Sequence, residues 1–279
     1  MAEVKKRRAD EALYEDLNLE SIQLARALIM EGRVMAGDRK ILRASETLKE
    51  GEALRVKGEL NAWVSRGAHK LLKALDVFEI DLSDRVCVDV GSSTGGFTDV
   101  MLRRGARSVY AVDVGYNLLD YRLRSDPRVT CMERTNARFL KPEDFDERPT
   151  FGATDVSFIS LKAVLPAALS VLVGEDARFV ALVKPQFEAA KDEVGEKGVV
   201  RDPAVHEKVL RDITGFIPGL GWRVNALDYS PIRGPEGNIE FLLDIVRCNN
   251  HAVKPGETSI GITIRHTYDN FFKSLKGGL

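Results

Sequence analysis

Charged residues stand beside apolar segments at several points of the chain. Asp155 follows one apolar strand, and Lys184 follows another and precedes Pro185. A surface lysine is usually only solvated, but a strand that buries the stem of Lys184 makes this lysine a candidate for chemistry. Because ligands bind beyond the carboxyl ends of parallel strands, both residues are expected at a site. Lys70 and Glu240 are further candidates, for which an ordinary ion pair is the alternative.

A glycine-rich turn follows the first of these strands and opens a predicted helix. Gly91 allows a tight turn, and Gly95 and Gly96 allow the backbone to approach a ligand closely. The alternative is a strand-to-helix turn that binds nothing. We expect the turn to supply these cofactor-binding residues: Asp89, Gly91, Ser92, Gly95, Gly96 and Phe97.

Two carboxylates indicate which cofactor the turn binds. Asp113 ends the next strand, where a carboxylate can accept both hydroxyls of a ribose; for this residue alone, a helix N-cap is the alternative. The turn has the pattern D-x-G-x-x-x-G-G and not the dinucleotide pattern G-x-G-x-x-G. Asp89 would repel a pyrophosphate but suits an ammonium and a sulfonium. The pattern therefore favours S-adenosylmethionine over NAD.

Strands alternate with helical stretches from residue 86 onward, which predicts a parallel sheet with helices on both faces. The predicted parallel strands are 86–90, 108–112, 129–132, 153–156 and 179–183. Two later strands, near 224–229 and 240–246, are expected to close the sheet with an antiparallel edge. The fold class is therefore α/β, a Rossmann-like, mostly parallel seven-stranded sheet, with a helix at 67–78 packed on it.

The N-terminal part of the chain has a different pattern. A helix over 20–31 and short strands near 33–35, 40–42 and 53–56 predict a small α+β unit. We expect an N-terminal domain at 1–60, a linker at 61–65, the α/β domain at 66–247 and a C-terminal extension at 248–279.

Composition narrows the classes of protein that the chain can represent. With 41 basic and 42 acidic residues, it cannot coat nucleic acid by bulk charge, although a local basic face is possible. The three cysteines and four histidines show neither disulfide nor zinc spacing, so no metal site is expected. No signal peptide and no membrane span are visible, which predicts a cytoplasmic protein without a membrane partner.

The motifs resemble those of FtsJ/RrmJ-type ribose 2′-O-methyltransferases, and the chain from about residue 7 to 247 is similar to the TlyA family. Members of that family carry the names rRNA methyltransferase and hemolysin. The segments that carry the resemblance are 64–67, 89–97, 155–158, 184–188 and 198–202. The resemblance implies methyl transfer to a ribose 2′-hydroxyl, of cytidine in ribosomal RNA, by a catalytic tetrad of Lys70, Asp155, Lys184 and Glu240.

The N-terminal domain resembles S4-type RNA-binding domains in the segments 8–10 and 25–29 and at Gly32 and Val34. It departs from that pattern at Ile22, where a basic residue is usual, and at Ala36, where Asn is usual. Residues 1–60 contain twelve basic and twelve acidic side chains, so RNA must bind to one face. The expected RNA-binding residues are Arg8, Arg26, Arg33, Arg39 and Lys40, with Arg66 as a further phosphate contact. A protein-binding or purely structural unit is the alternative.

Within the tetrad, we expect Lys184 to be the general base. A lysine acts as a base only when its amine is neutral, and burial and a second cation, here Lys70, both favour the neutral form. Asp155 is expected to orient the Lys184 amine and to lie near the methyl group, and Glu240 to hold Lys70 and the ribose. Phe158 and Phe187 either stack on a flipped base or pack in the core.

Three other functions stay open on the sequence alone. The first is a membrane-active toxin, as the name hemolysin suggests. The second is a ribosome-assembly or RNA-binding factor that keeps the fold without turnover. The third is an NAD-dependent oxidoreductase.

Overall fold

A computed structural model of the chain describes residues 7–248, except residues 18, 20, 21, 31, 50 and 58–62. The chain forms two compact units, Met1–Ala62 and Trp63–Leu279. The expected linker at 61–65 lies partly outside the described residues, and the expected extension at 248–279 lies outside them except for Cys248.

The N-terminal unit is a small α+β unit. Helices α1 (Ala9–Asp16) and α2 (Ile22–Met30) precede a three-stranded antiparallel sheet. Its central strand is β1, and the order is β2-β1-β3; the strands are β1 (Val34–Ala36), β2 (Arg39–Lys40) and β3 (Leu54–Val56). Small and branched apolar side chains from both helices and the sheet form one buried cluster, which includes Ala12, Leu13, Leu28, Ile29, Val34 and Ile41.

The larger unit is built on a seven-stranded sheet of order β6-β5-β4-β7-β8-β10-β9. The first five strands in this order are parallel, and β10 is antiparallel to both of its neighbours. The strands are β4 (Val86–Val90), β5 (Ser108–Val112), β6 (Val129–Met132), β7 (Phe151–Thr154), β8 (Arg178–Val183), β9 (Trp222–Tyr229) and β10 (Phe241–Arg247).

Helices cover both faces of this sheet. On one face α3 (Ala68–Val77) and α4 (Gly96–Arg103) pack, and on the other α6 (Leu161–Ser170) and α8 (Pro203–Phe216). Alternate residues of β4 belong to the two cores, since Val86 and Val88 contact the α6 side and Cys87 the α3 side. Two single-turn helices, α5 (Tyr121–Arg124) and α7 (Pro185–Glu188), lie in the connections after β5 and β8.

The predicted α/β fold and its antiparallel edge are confirmed, and five predicted strands match within one residue. The strand expected at 153–156 lies instead at Phe151–Thr154. Pairing with β4 ends at Thr154, opposite Val90, and Val156 continues the apolar run because it packs on the core without pairing.

Candidate active site

Four elements bring the predicted tetrad to one edge of the sheet. Asp155 and Lys184 are the first residues after the parallel strands β7 and β8. Lys70 lies in the first turn of α3, and Glu240 immediately precedes β10. Because β10 runs antiparallel to β8 and pairs Phe241 with Val183, its first residues reach the edge where the parallel strands end.

The four side chains form a continuous chain of contacts. Nζ of Lys184 lies 2.6 Å from Oδ1 of Asp155, and Nζ of Lys70 lies 3.1 Å from Oδ2 of the same carboxylate. Lys70 also contacts Oε2 of Glu240 at 2.7 Å. Nζ of Lys184 donates a hydrogen bond of 2.7 Å to Oγ of Ser157, a residue that the sequence did not single out. One carboxylate thus holds two lysine amines at fixed positions.

The tetrad is shielded from water, which strengthens its mutual electrostatic interactions. The side chains of Lys70 and Lys184 are both 8% exposed, and that of Glu240 is buried. Burial lowers the pKa of Lys70, but the carboxylates of Asp155 and Glu240 outweigh burial, so its pKa lies above the ordinary value. Burial raises the pKa of Glu240 against the opposing effect of Lys70. Lys70 is therefore held as the permanent cation of the set.

A cavity of about 360 Å³ opens in front of these residues. Nine of the predicted site residues line it: Arg66, Lys70, Asp89, Gly91, Ser92, Gly96, Phe97, Asp155 and Lys184. Residues that the sequence did not predict complete the wall, among them Ser65, Ser93, Ser157, Ile232 and Arg233. Glu240 does not line the cavity and contacts Lys70 instead.

A second cavity of about 280 Å³ adjoins the first and shares Asp155 and Ser157 with it. Asp113 lines this second cavity; its Oδ2 accepts a hydrogen bond from the Ser93 N–H at 2.8 Å, and its Oδ1 accepts one from the Gly115 N–H at 2.7 Å. The N-cap alternative for Asp113 is wrong, because the next helix, α5, is capped by Asp120. Apolar residues form most of the remaining wall, including Val112, Val114, Leu118, Val156 and Ile159.

Asp89, at the start of the glycine-rich turn, is buried against Thr98 in the helix that follows the turn. Its Oδ2 accepts hydrogen bonds from Thr98, at 2.9 Å from the backbone N–H and 2.7 Å from the hydroxyl. Its Oδ1 is buried and has no hydrogen-bond partner among the described residues. Burial raises the pKa of this carboxyl to about 7. An unpartnered acceptor at the cavity wall fits a ligand that brings a donor, as the ammonium group of S-adenosylmethionine would.

The paired glycines of the turn also allow parts of the protein to approach one another closely. Gly95 has φ +97°, and a Cβ added there would lie 2.3 Å from the Leu123 side chain. A Cβ at Gly96 would lie 2.4 Å from Oγ of Ser65 and 3.0 Å from the Ala68 backbone nitrogen, so the glycine brings α4 against the start of α3. The expectation that both glycines admit a ligand stays a prediction.

Comparison with known proteins decides the family. The FtsJ-like methyltransferase family matches residues 63–246. The 16S/23S rRNA (cytidine-2′-O)-methyltransferase TlyA of Mycobacterium tuberculosis is 43% identical over 86% of this chain and 89% of its own length. Hemolysin A of Brachyspira hyodysenteriae is 38% identical over 86% of this chain and 99% of its own length.

The chain belongs to the TlyA family of FtsJ-like methyltransferases. A solved structure from Streptococcus thermophilus that carries the name hemolysin is 42% identical and has a TM-score of 0.73 over 97% of this chain and 98% of its own. The expected cofactor, S-adenosylmethionine, is confirmed, since FtsJ-like methyltransferases use it, and the NAD-dependent alternative is wrong. Within the described part of the chain, no helix is long and apolar enough to cross a membrane.

The TlyA-family chain carries five of its predicted RNA-binding residues in the N-terminal unit. Arg8 and Arg26 both contact Asp10, and Arg39 pairs with Glu46 and Glu52. Nε of Arg33 donates to the Lys57 carbonyl at 3.1 Å, and the Lys40 side chain lies over Gly32. The expectation that these five residues bind RNA stays a prediction.

Phe158 lies at the rim of the site and not in the core. It is 90% exposed and has φ +64°, a backbone conformation that bulky residues avoid. Its ring lies 5.1 Å from the ring of Phe187, which in turn lies 6.0 Å from the Lys184 amine. Core packing is therefore wrong for Phe158, and a role on the substrate side remains.

Proposed function

We propose that this protein transfers the methyl group of S-adenosylmethionine to the 2′-hydroxyl of a cytidine in ribosomal RNA, in the cytoplasm. The observation that carries the proposal is the contact chain Glu240–Lys70–Asp155–Lys184 at the wall of the cofactor cavities. The M. tuberculosis relative, whose name states this reaction, supports the choice of acceptor.

The two cavities suit the two parts of the cofactor. Asp113, with both oxygens already fixed by backbone N–H groups, keeps lone pairs free for the ribose hydroxyls in the smaller cavity. Asp89 offers its unpartnered Oδ1 to the ammonium group in the larger one. Asp155 lines both cavities, so the sulfonium and its methyl group would lie beside the Lys184 amine. When bound, the cofactor supplies an electrophilic methyl carbon.

The protein's own task is to remove a proton and to hold the nucleophile in line. Lys184 would accept the 2′-hydroxyl proton on Nζ while the oxygen forms its bond to the methyl carbon and the carbon–sulfur bond breaks. Asp155 and Ser157 fix the position of Nζ, and Lys70 holds the other oxygen of the Asp155 carboxylate. Positioning of this kind lowers the activation barrier by several kcal/mol, up to roughly 7–11.

RNA would be held on the substrate side of the cavity and by the N-terminal unit. Arg66 and Arg233 line the cavity and could contact phosphates that flank the target nucleotide. Phe158, exposed next to Ser157 in the chain, could stack on the base of that nucleotide. For the N-terminal unit, we propose an S4-type RNA-binding role that uses Arg8, Arg26, Arg33, Arg39 and Lys40.

The test is methylation of purified ribosomal subunits with tritiated S-adenosylmethionine, followed by mapping of 2′-O-methylcytidine by mass spectrometry. We expect label in ribosomal RNA with the wild-type protein and none with Lys184→Ala. Label on a base atom, or no label on naked RNA, 30S subunits or 50S subunits, would contradict the proposal. A liposome dye-release assay tests the hemolysin alternative in parallel; we expect no release.

A further inference from the structure

Two neighbouring loops of the larger unit expose a cluster of large apolar side chains. The loops follow β5 and β6, and Tyr116 and Phe139 on them are 64% and 67% exposed. Val114, Leu118 and Tyr121 are exposed beside them. Scattered exposed apolar residues are normal, but four on two adjoining loops and a fifth at the start of α5 are typical of a binding surface.

Each of the two rings carries a stacked guanidinium group. The Arg134 guanidinium lies 4.3 Å from the centre of the Tyr116 ring, and that of Arg138 lies 5.3 Å from the Phe139 ring. Neither arginine has a carboxylate within 4 Å among the described residues, although neighbouring Arg122 and Arg124 are both ion-paired. The cluster, which we call the aromatic–arginine surface (Tyr116, Arg134, Arg138, Phe139), therefore keeps uncompensated positive charge.

This surface is held in place before any partner arrives. The Glu133 carboxylate pairs with Arg124 and accepts a hydrogen bond of 2.6 Å from the Asn117 N–H. The Arg134 N–H donates to the Gly115 carbonyl at 3.0 Å, which joins the two loops. Asn117 and Arg134 have φ of +57° and +52°, conformations that persist only where the surroundings fix them.

The surface also borders the smaller cofactor cavity. Val114 and Leu118 of the first loop line that cavity, as do Thr135, Asn136 and Ala137 of the second. The rings therefore project from the same loops that would enclose the cofactor's nucleoside. A macromolecule that covers them lies beside the smaller cavity, which shares Asp155 and Ser157 with the cavity of the tetrad.

We infer that the aromatic–arginine surface binds unpaired RNA bases by stacking, next to the nucleotide that is methylated. Ring faces and guanidinium planes are the groups on which unstacked bases bind, whereas a duplex hides its base faces. The inference rests on the proposed function, since it gives the RNA substrate a single-stranded or locally opened segment beside the target.

A membrane surface is the competing partner for exposed rings and arginines. The position of the surface favours RNA, because a lipid layer seated on these loops would lie across the cofactor cavity and would bring no acceptor hydroxyl. The two partners also differ in what they need, since insertion into lipid depends on apolar side chains in general, and stacking depends on flat rings.

The test uses the full chain with S-adenosylhomocysteine and measures the binding of a fluorescent twelve-nucleotide single-stranded RNA by anisotropy. Tyr116→Ala and Phe139→Ala should each weaken binding about tenfold, and Tyr116→Phe and Phe139→Tyr should restore it, since stacking tolerates the hydroxyl. Cofactor affinity, measured by calorimetry, should stay unchanged, because neither ring lines a cavity. Val77→Ala, which removes an exposed apolar side chain at the end of α3, is the matched control.

Unchanged RNA affinity in the alanine variants overturns the inference. The inference also fails if these variants bind phosphatidylglycerol vesicles more weakly than the wild type but bind RNA equally well. A tenfold loss that the conservative variants do not restore also contradicts stacking. These failures are distinct from failure of the proposed function, because ribosomal RNA methylation by the wild-type protein is measured separately. If the wild type methylates RNA and the alanine variants show unchanged affinity, this surface alone is wrong.

Discussion

Both units of the molecule contain a carboxylate contacted by two cations, yet the two arrangements serve different purposes. In the N-terminal unit, the buried Asp10 contacts Arg8 at 2.9 Å and Arg26 at 2.8 Å. In the larger unit, Asp155 contacts Lys70 at 3.1 Å and Lys184 at 2.6 Å. The charges and distances are nearly the same.

The identity and burial of the cations distinguish the two sites. The Arg8 and Arg26 side chains are 45% and 48% exposed, and a guanidinium does not lose its proton in a protein. The two lysine side chains are almost fully buried, and an amine, unlike a guanidinium, can exchange its proton in a protein. Two arginines on a carboxylate make a structural anchor, whereas two buried lysines on a carboxylate make a site that can move a proton.

The strongest test of this difference is to give the Asp155 site the cation of the Asp10 site. Lys184→Arg places a guanidinium, which cannot accept a proton, at the position of the base, so we expect turnover to fall about 1,000-fold, as for Lys184→Ala. Cofactor affinity should change little. Single-turnover methylation and calorimetry measure the two effects, with Lys162→Ala, which breaks an exposed pair with Asp212, as the control. Activity in Lys184→Arg would remove the assignment of Lys184 as base.

Removing the shared carboxylate should have the next largest effect. Asp155→Asn leaves two buried amines without their common partner, and we expect turnover to fall about 100-fold, since the Lys184 amine is no longer held in position. Steady-state kinetics on ribosomal subunits would measure it, and Asp212→Asn is the exposed control. A change in KM with unchanged kcat would mean that Asp155 only binds substrate.

Asp89 extends the comparison to a buried carboxylate that contacts no cation in the described part of the chain. Its pKa of about 7 lies above the unfolded value of 3.8, so the neutral form is favoured in the folded protein below neutral pH. If the ionised form binds the cofactor ammonium, affinity should rise about threefold between pH 6.5 and 7.5. Calorimetry across this range measures it. Asp89→Asn should bind more weakly and without this slope; a slope that persists in the variant would assign it to another group.

The smallest effect is expected at the arginine-flanked site. Asp10→Asn should lower the free energy of unfolding of the N-terminal unit by about 1–2 kcal/mol, because its arginines remain solvated. Arg8 and Arg26 hold the folded pKa of Asp10 near 2, below its unfolded value of 3.8. The stabilisation is therefore present above pH 4 and lost as the pH falls towards 2. Denaturant unfolding should show the gap between wild type and variant closing over that interval; a constant gap would rule out an ionic origin.

The sequence predicts the convergence of the tetrad because strand ends can be located from apolar runs. Asp155 and Lys184 each follow such a run, and parallel strands end at a common edge. Glu240 is also a candidate from the sequence, but its membership of the tetrad follows only from the family resemblance, since nothing in its neighbourhood shows that β10 inserts between β8 and β9.

Hydroxyl groups and tertiary packing could not be predicted in the same way. Ser157 and Thr98 hold Lys184 and Asp89, but a serine or threonine carries no charge pattern that marks it as a partner. The partner of Gly96 is a segment some thirty residues earlier in the chain, so its packing role is visible only in three dimensions. The exposure of Phe158 likewise depends on a backbone conformation that no local sequence motif predicts.

The order of strands in the sheet also limits when this enzyme can become active during synthesis. Among the described strands, β10 comes last in the chain; it is inserted between β8 and β9 and follows Glu240 directly. When a ribosome has released the chain only as far as β9, the place of β10 in the sheet is empty and Lys70 lacks one of its two carboxylates. We therefore expect the nascent protein to stay inert until β10 emerges, however early the cofactor-binding half has folded.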